Sequence, residues 1–190
     1  MKKYLSWIIC AGVIVAILAV TLVCFAMNYS PKVVAKRYLN NLINNRFENC
    51  YEELSVPKRF SSVTKDDILK IYENFRADKK RSTKIIKAEK MSSIEWTDVD
   101  KIYDSKEAFD KEKAKYRRVV ITYKNSLENK SDEQELSYFV NLVKDKNILG
   151  FIPKYKVADN LIASYLYDAS RIEAVKAVPK PKKPKATPKK

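Results

Sequence analysis

The feature that most constrains this chain is its first apolar run, Trp7 to Met27, in which twenty-one consecutive residues carry no charge. At about 1.5 Å per residue a helix of that length reaches roughly 31 Å, close to the hydrocarbon thickness of a bilayer. Met1-Lys2-Lys3 in front of it has the charge of a signal sequence's first region. Trp7 and Tyr29 flank the run, where amphipathic aromatics favour the membrane interface. The expectation is a transmembrane anchor at 7–27 behind a short cytoplasmic N-terminus at 1–6. Long following domains translocate largely regardless of charge, and short basic N-termini stay inside. Residues 28–190 are therefore expected outside the cytoplasm, on a single-pass protein of the cell membrane. Cys24-Phe25-Ala26 is a poor small-x-small cleavage site and the run exceeds a usual signal core, so the anchor reads as uncleaved. Val23 stands before Cys24 where a lipobox needs a small residue.

Composition narrows function by exclusion. There is no histidine, which removes His-based triads, His-ligated metals and His proton shuttles. Only Gly12 and Gly150 occur, too few for a glycine-rich phosphate loop or a dinucleotide fingerprint. Cys10 and Cys24 sit inside the span, about 21 Å apart along a helix and too far to pair. Cys50 is then alone in the outer part and reads as a buried thiol. No cofactor is expected.

After the anchor the chain divides into a globular region, 28–157, an amphipathic helix, 158–177, and a lysine-proline tail, 178–190. Ser30 suits an N-cap and Pro31 the first helical position. Val34, Tyr38 and Leu42, with Leu39 and Ile43, then form an i, i+4 stripe that Asn44-Asn45 closes. Phe47, Tyr51 and Leu54 give a shorter second helix ended by Pro57. Thr64 caps a third, Lys65 to Phe75, with Ile68, Leu69, Tyr72 and Phe75 on one face. From Thr83 the period changes. Ile85–Trp96 reads as a ragged strand and Tyr116–Lys124 as a better one. Gln134–Lys144 is the cleanest, and Asp145-Lys146-Asn147 reads as a turn into Ile148–Tyr155. The layout is α+β: about three helices covering one face of a curved antiparallel sheet.

At VVAKRYLNNLINNRFENCYEELS the chain resembles the opening helices of nuclear-transport-factor-two-like domains, where a first helix ending in small polar residues runs into an aromatic-bearing second helix. KDDILKIYENF, the strands and the hairpin into a last apolar strand are similar to the N-terminal domain of methicillin-resistance-type penicillin-binding proteins. The resemblance covers about 31–157 and does not include the transpeptidase domain. That family tends to carry a tryptophan in the last strand, where Ile148-Leu149-Gly150-Phe151-Ile152 stands here. The resemblance implies a cone-shaped α+β fold and carries no penicillin binding across.

Three constellations invite a chemical reading. Ser55-Val56-Pro57-Lys58 and Ser62-Val63-Thr64-Lys65 match Ser-x-x-Lys, but Ser-Asp-Asn and Lys-Thr-Gly are missing, and such matches arise by chance in a lysine-rich chain. Asp98, Asp100 and Asp104 have calcium-loop spacing. The loop lacks the sixth-position glycine and has Phe109 where the twelfth-position glutamate belongs, while Lys101 and Lys106 oppose a cation. No metal site is expected, and 98–115 reads as a solvated loop with a short helix capped by Asp104 and Glu107. An isomerase-type pocket needs a carboxylate base and a phenolic donor in one cone. Twelve tyrosines are present, but nothing in the sequence brings a pair together.

Leu161, Ile162, Tyr165, Leu166, Ala169, Ile172 and Val175 recur at helical spacing, so 158–177 is expected to pack on the domain, with self-association or a protein partner as alternatives. Lys176 to Lys190 holds seven lysines, four prolines and no acid, which predicts a disordered segment. Of the net charge of +15, Lys2 and Lys3 supply +2 and this tail +7, leaving +6 between them. Lys180, Lys182, Lys183, Lys185, Lys189 and Lys190 are therefore candidate polyanion contacts, for anionic lipid or wall polymer rather than nucleic acid. The functional expectation is a non-catalytic extracytoplasmic binding or scaffold module of the bacterial envelope. A bitopic scaffold of a conjugation or type IV secretion apparatus, and an isomerase-like enzyme or small-ligand carrier using the cone, are the alternatives.

Overall fold

The computed structural model describes residues 2–57, 60–76, 81–91, 94–127, 134–148 and 150–167. Helix α1, Lys2–Asn28, contains the apolar run unbroken. Its stretch Cys10–Asn28 has a mean hydropathy of 2.7, and none of it is buried against the rest of the protein. Such a helix has the length and composition of a membrane span or a signal sequence.

Only Tyr29 and Ser30 separate α1 from α2, Pro31–Ile43. Ser30 occupies the N-cap with extended backbone, yet its side chain caps no N–H, so Pro31 rather than a hydroxyl marks this start. Asn45 ends the helix in the left-handed region at φ 55°, a conformation asparagine tolerates better than most residues. The chain then turns into α3, Phe47–Glu53. Helix α4, Lys65–Glu73, opens with a reciprocal capping box in which Asp67 N–H donates to Thr64 Oγ1 (3.3 Å) and Thr64 N–H to Asp67 Oδ2 (3.1 Å).

Four strands follow in the order β1-β2-β3-β4, all antiparallel: β1 Arg81–Met91, β2 Tyr116–Leu127, β3 Gln134–Ile148 and β4 Ile152–Val157. The sheet curls into a half-barrel. Two bulges mark it, one where Ile86 is extra against β2 and one where Asp145 is extra against β4. A bulge bends its strand and increases the local twist. The α+β layout expected from the sequence is thus the observed one.

Helix α2 lies on the concave face and touches all four strands, while α3 packs on α2 and α4 on α3. Val34, Ala35, Tyr38 and Leu39 of α2 join Val119, Ile121, Val140, Leu142 and Val157 in one buried cluster that Ile68 and Tyr72 complete. The outer edge of β4 is covered in part, because Ser55 N–H donates to Val157 O (2.8 Å) beside a parallel bridge from Leu54 to Val157.

Several expectations need correction. The first strand begins at Arg81, and Trp96 belongs to a 3-10 turn, Trp96–Asp98. The raggedness of its apolar pattern is the Ile86 bulge, which shifts the alternation by one. Asp145-Lys146-Asn147 is no turn: β3 continues through it to Ile148, and the chain reverses around Gly150, whose φ of 78° suits glycine. Nor is 98–115 only a solvated loop. Helix α5, Lys106–Glu112, is capped by Ser105, whose Oγ accepts from Ala108 N–H (3.2 Å), in place of Asp104. Ile94, Val99 and Phe109 form a second, smaller core there with Tyr116 and Ala158. Of the expected helix 158–177, residues 160–167 are helical (α6), with Ile162, Ala163 and Leu166 buried on the main core. Residues 158 and 159 precede it without helical structure, and 168–190 lie outside the described residues.

Candidate functional site

The feature nearest to chemistry lies where α2, β3 and the start of α6 meet. Tyr38 comes from the middle of the α2 stripe and is fully buried. Its hydroxyl donates to Asp159 Oδ2 (2.6 Å) and lies 3.1 Å from the hydroxyl of Tyr72, which α4 supplies. Phe47 stacks on Tyr72, with ring centroids 5.9 Å apart and planes within 6°. A cavity of about 310 Å³ opens beside this group, lined among others by Tyr38, Tyr138, Asn141, Asp159 and Asn160.

The carboxylate that a pocket reaction would require has other duties. Asp159 Oδ1 accepts from the N–H groups of Leu161 (2.9 Å) and Ile162 (3.2 Å), the geometry of an N-cap on α6. Its second oxygen takes the Tyr38 phenol. A general base needs an oxygen within hydrogen-bond reach of the proton it removes. Here both oxygens already bind the protein's own donors. The arrangement joins α6 to α2 and therefore closes one end of the main core.

A polar network continues this joint outward. Asn160 accepts from Lys101 N–H (3.0 Å) and donates to Asp100 Oδ1 (3.0 Å), and Asp100 also pairs with Lys101 Nζ (3.0 Å). Asn141 donates to Asp98 O (3.1 Å) and accepts from Arg118 Nε (3.0 Å), while Arg118 forms an ion pair with Asp98. Asp98 and Asp100, read from the sequence as calcium-loop positions, thus serve two different partners. Among the described residues no group of three or more His, Cys, Asp or Glu side chains is arranged to hold a metal. The Ser-x-x-Lys candidates divide as well: Ser55 pairs its backbone with β4, and Lys65 reaches Glu48 (3.7 Å) and the Tyr51 ring. Lys58 and the six tail lysines fall outside the described residues.

Burial dominates the titration of this region. It raises the Tyr38 phenol well above its ordinary value, and the Asp159 charge adds to the effect. Burial likewise raises Tyr72, partly offset by its hydrogen bond with Tyr38, and raises Tyr138 together with the Asp159 charge. Cys50 is pushed up to about 12 by burial first and then by Asp159 and Glu53, so its thiol is an inert core group. In the smaller core Tyr116 donates to Tyr103 (2.8 Å), which donates to Glu112 Oε2 (2.8 Å). Burial raises both phenols, Tyr116 to about 12.

The Tyr38–Asp159 pair is the functional-looking contact that sequence reasoning missed. Half of its signal is local, since Asp159-Asn160 directly precedes the apolar residues Leu161 and Ile162, a helix-start pattern. The other half joins residues 121 positions apart. Comparison with protein-family models, with curated proteins and with solved structures finds no match to this chain.

Two measurements test this account. Tyr38→Phe keeps the ring and removes the donor, leaving Asp159 Oδ2 without its phenol. It should destabilise the domain by about 1–3 kcal/mol, read as a lower urea midpoint, and free α6 for early proteolysis. The pH dependence follows from the raised phenols and thiol. Each folded group keeps its proton where the unfolded chain loses it, so its contribution is complete below the unfolded values of 9.0 for Cys and 10.0 for Tyr. That contribution is lost as pH rises above them. Phenolate absorbance should therefore rise in a late step that coincides with loss of circular dichroism. A smooth titration of all tyrosines with the fold intact would contradict the burial of these phenols.

Proposed function

We propose that this chain is a non-catalytic, single-pass membrane protein whose α+β domain stands outside the cytoplasm as a binding or scaffold module of the bacterial envelope. The observation that carries the reading is the junction at Tyr29-Ser30: the apolar helix passes within two residues into α2, the helix on which the sheet is packed. The domain is built directly onto its anchor rather than strung from it. The α-helices before a curled sheet also agree with the nuclear-transport-factor-two-like resemblance, which we retain as a proposal about ancestry.

Two further observations weigh against an enzyme or small-ligand carrier. The concave face, where such cones hold ligands, is occupied by Val34, Tyr38, Leu39, Ile68 and Tyr72. The acid–phenol pair at that face, Tyr38 with Asp159, is a helix cap and a core hydrogen bond. A scaffold of a secretion or conjugation apparatus is the narrower form of the same proposal, supported by the order of short basic N-terminus, one span and outer domain.

Topology tests the proposal directly. With Cys10, Cys24 and Cys50 replaced, Lys146→Cys on the exposed part of β3 should react with a membrane-impermeant maleimide on intact cells. Labelling only after lysis would put the domain in the cytoplasm. For these 190 residues an uncleaved anchor keeps the full 22.0 kDa, and cleavage after the apolar run would shorten the chain.

The tail is proposed to bind an envelope polyanion by counterion release, so binding to anionic vesicles or purified wall polymer should weaken steeply as salt rises. Changing Lys180, Lys182, Lys183, Lys185, Lys189 and Lys190 to glutamine, with the prolines kept, removes charge without changing stiffness. At up to about 1 kcal/mol per lysine the loss should reach several kcal/mol, while the melting temperature stays unchanged. Undiminished binding at low salt would leave the tail a solubilising extension only.

A further inference from the structure

A groove of about 570 Å³ lies between the last turns of α1 and the turn joining β3 to β4. One wall is made by Leu22, Val23 and Ala26 of the apolar helix, and the other includes Phe151. Lys90 reaches the groove because strand alternation puts it on the concave side of β1 with Ala88, opposite Glu89. Tyr29 lines the same space, and Lys154 Nζ stands 6.0 Å from the centre of its ring.

Two of these features are hard to explain in water. Phe151 is 66% exposed at the tip of a glycine turn, beside a helix whose own apolar side chains are bare. Leu22 and Val23, which line the groove with Phe151, are 38% and 60% exposed. Val23 precedes the helix end at Asn28 by five residues, about 7 Å along the axis. Apolar walls at that depth, with cations at the rim, match the order of acyl chain and headgroup in a leaflet. The acid nearest in sequence to the rim lysines, Glu89, forms an ion pair with Lys87 on the other face of β1.

We propose that this groove holds an anionic phospholipid of the leaflet in which α1 ends. Its acyl chain lies along Leu22, Val23, Ala26 and Phe151, and its phosphate lies against Lys90 and Lys154. The domain is thereby seated on the bilayer at two points, the helix end and the β3–β4 turn. The inference rests on α1 being a membrane span, as proposed above.

The test uses the full chain reconstituted in mixed phosphatidylcholine and phosphatidylglycerol vesicles. Insertion is read separately, by flotation and by resistance to alkaline carbonate. With Trp7→Phe and Trp96→Phe as background and circular dichroism confirming the fold, Phe151→Trp places one indole at the turn. Its emission should be blue-shifted, shielded from acrylamide, and quenched by lipids brominated near the glycerol end of their chains. When only phosphatidylglycerol is brominated, quenching should exceed that with brominated phosphatidylcholine. Lys90→Gln and Lys154→Gln should each lower this preference about fivefold at most. An inserted protein whose indole stays aqueous overturns the lipid groove and leaves the span intact. Quenching without preference for the anionic lipid overturns the headgroup assignment. A chain that fails to float overturns both the span and the groove.

Discussion

The contact of α2 with the concave face of the sheet is the interaction on which the rest of the molecule depends. Val34, Ala35, Tyr38 and Leu39 meet apolar residues of β2, β3 and β4 there. Each large apolar side chain fully removed from water contributes about 1.5–3 kcal/mol. The same helix is held at three other points. Two residues tie its start to α1, Asn45 turns its end into α3, and Tyr38 in its middle holds Asp159. Because Asp159 also caps α6, displacing α2 would expose the main core and release the C-terminal helix together. A polar contact at that place is therefore coupled to burial on both sides.

The opposite face of the sheet is served differently. Around Tyr116 and Val143 it is covered by the segment 94–115, which has little regular structure of its own but buries Ile94, Val99 and Phe109. Phe109 is ringed by Trp96, Tyr103 and Tyr116 at centroid distances of 5.7–6.1 Å. Short helical turns cannot bury much area, so aromatic rings supply it, each worth more per residue than an aliphatic side chain. Farther along, the convex face stays open. Phe139 is 56% exposed there, with Arg118 over its ring at 5.7 Å.

The parts of this fold that were legible in the sequence are those with a local cause. The apolar run, the Pro31 start, the Thr64 cap and the alternation of Leu136, Tyr138, Val140 and Leu142 each encode their element within a few residues. The misread parts depend on partners distant in sequence. Asp145 looks like a turn because asparagine, aspartate and lysine favour turns, yet pairing with β4 carries the strand through it as a bulge. Asp98 and Asp100 have a ligand-like spacing that the sequence reading sets aside, but their partners Arg118 and Asn160 could not be read from it. Residues 98–115 read as solvated because charges outnumber apolar side chains, although Val99 and Phe109 join Ile94, Tyr116 and Ala158 in a small core. The Tyr38–Asp159 joint was half legible, since a cap can be read locally and its phenolic partner cannot.

Geometry also limits what the outer part of the chain can reach. Strand β3 starts at the far end of the domain and ends at the turn beside α1, and at about 3.3 Å per residue its fifteen residues span at most about 50 Å. Helix α6 starts partway along, because Ala158 N–H donates to Asn141 O (2.8 Å), seven residues from the Ile148 end of β3. That places the start of α6 roughly 20 Å from the β3–β4 turn. The two ends of the described domain therefore differ chemically: Leu22, Val23, Ala26 and Phe151 make an apolar groove at one, and the Asp159 cap with the Asn160–Asp100 network stands at the other.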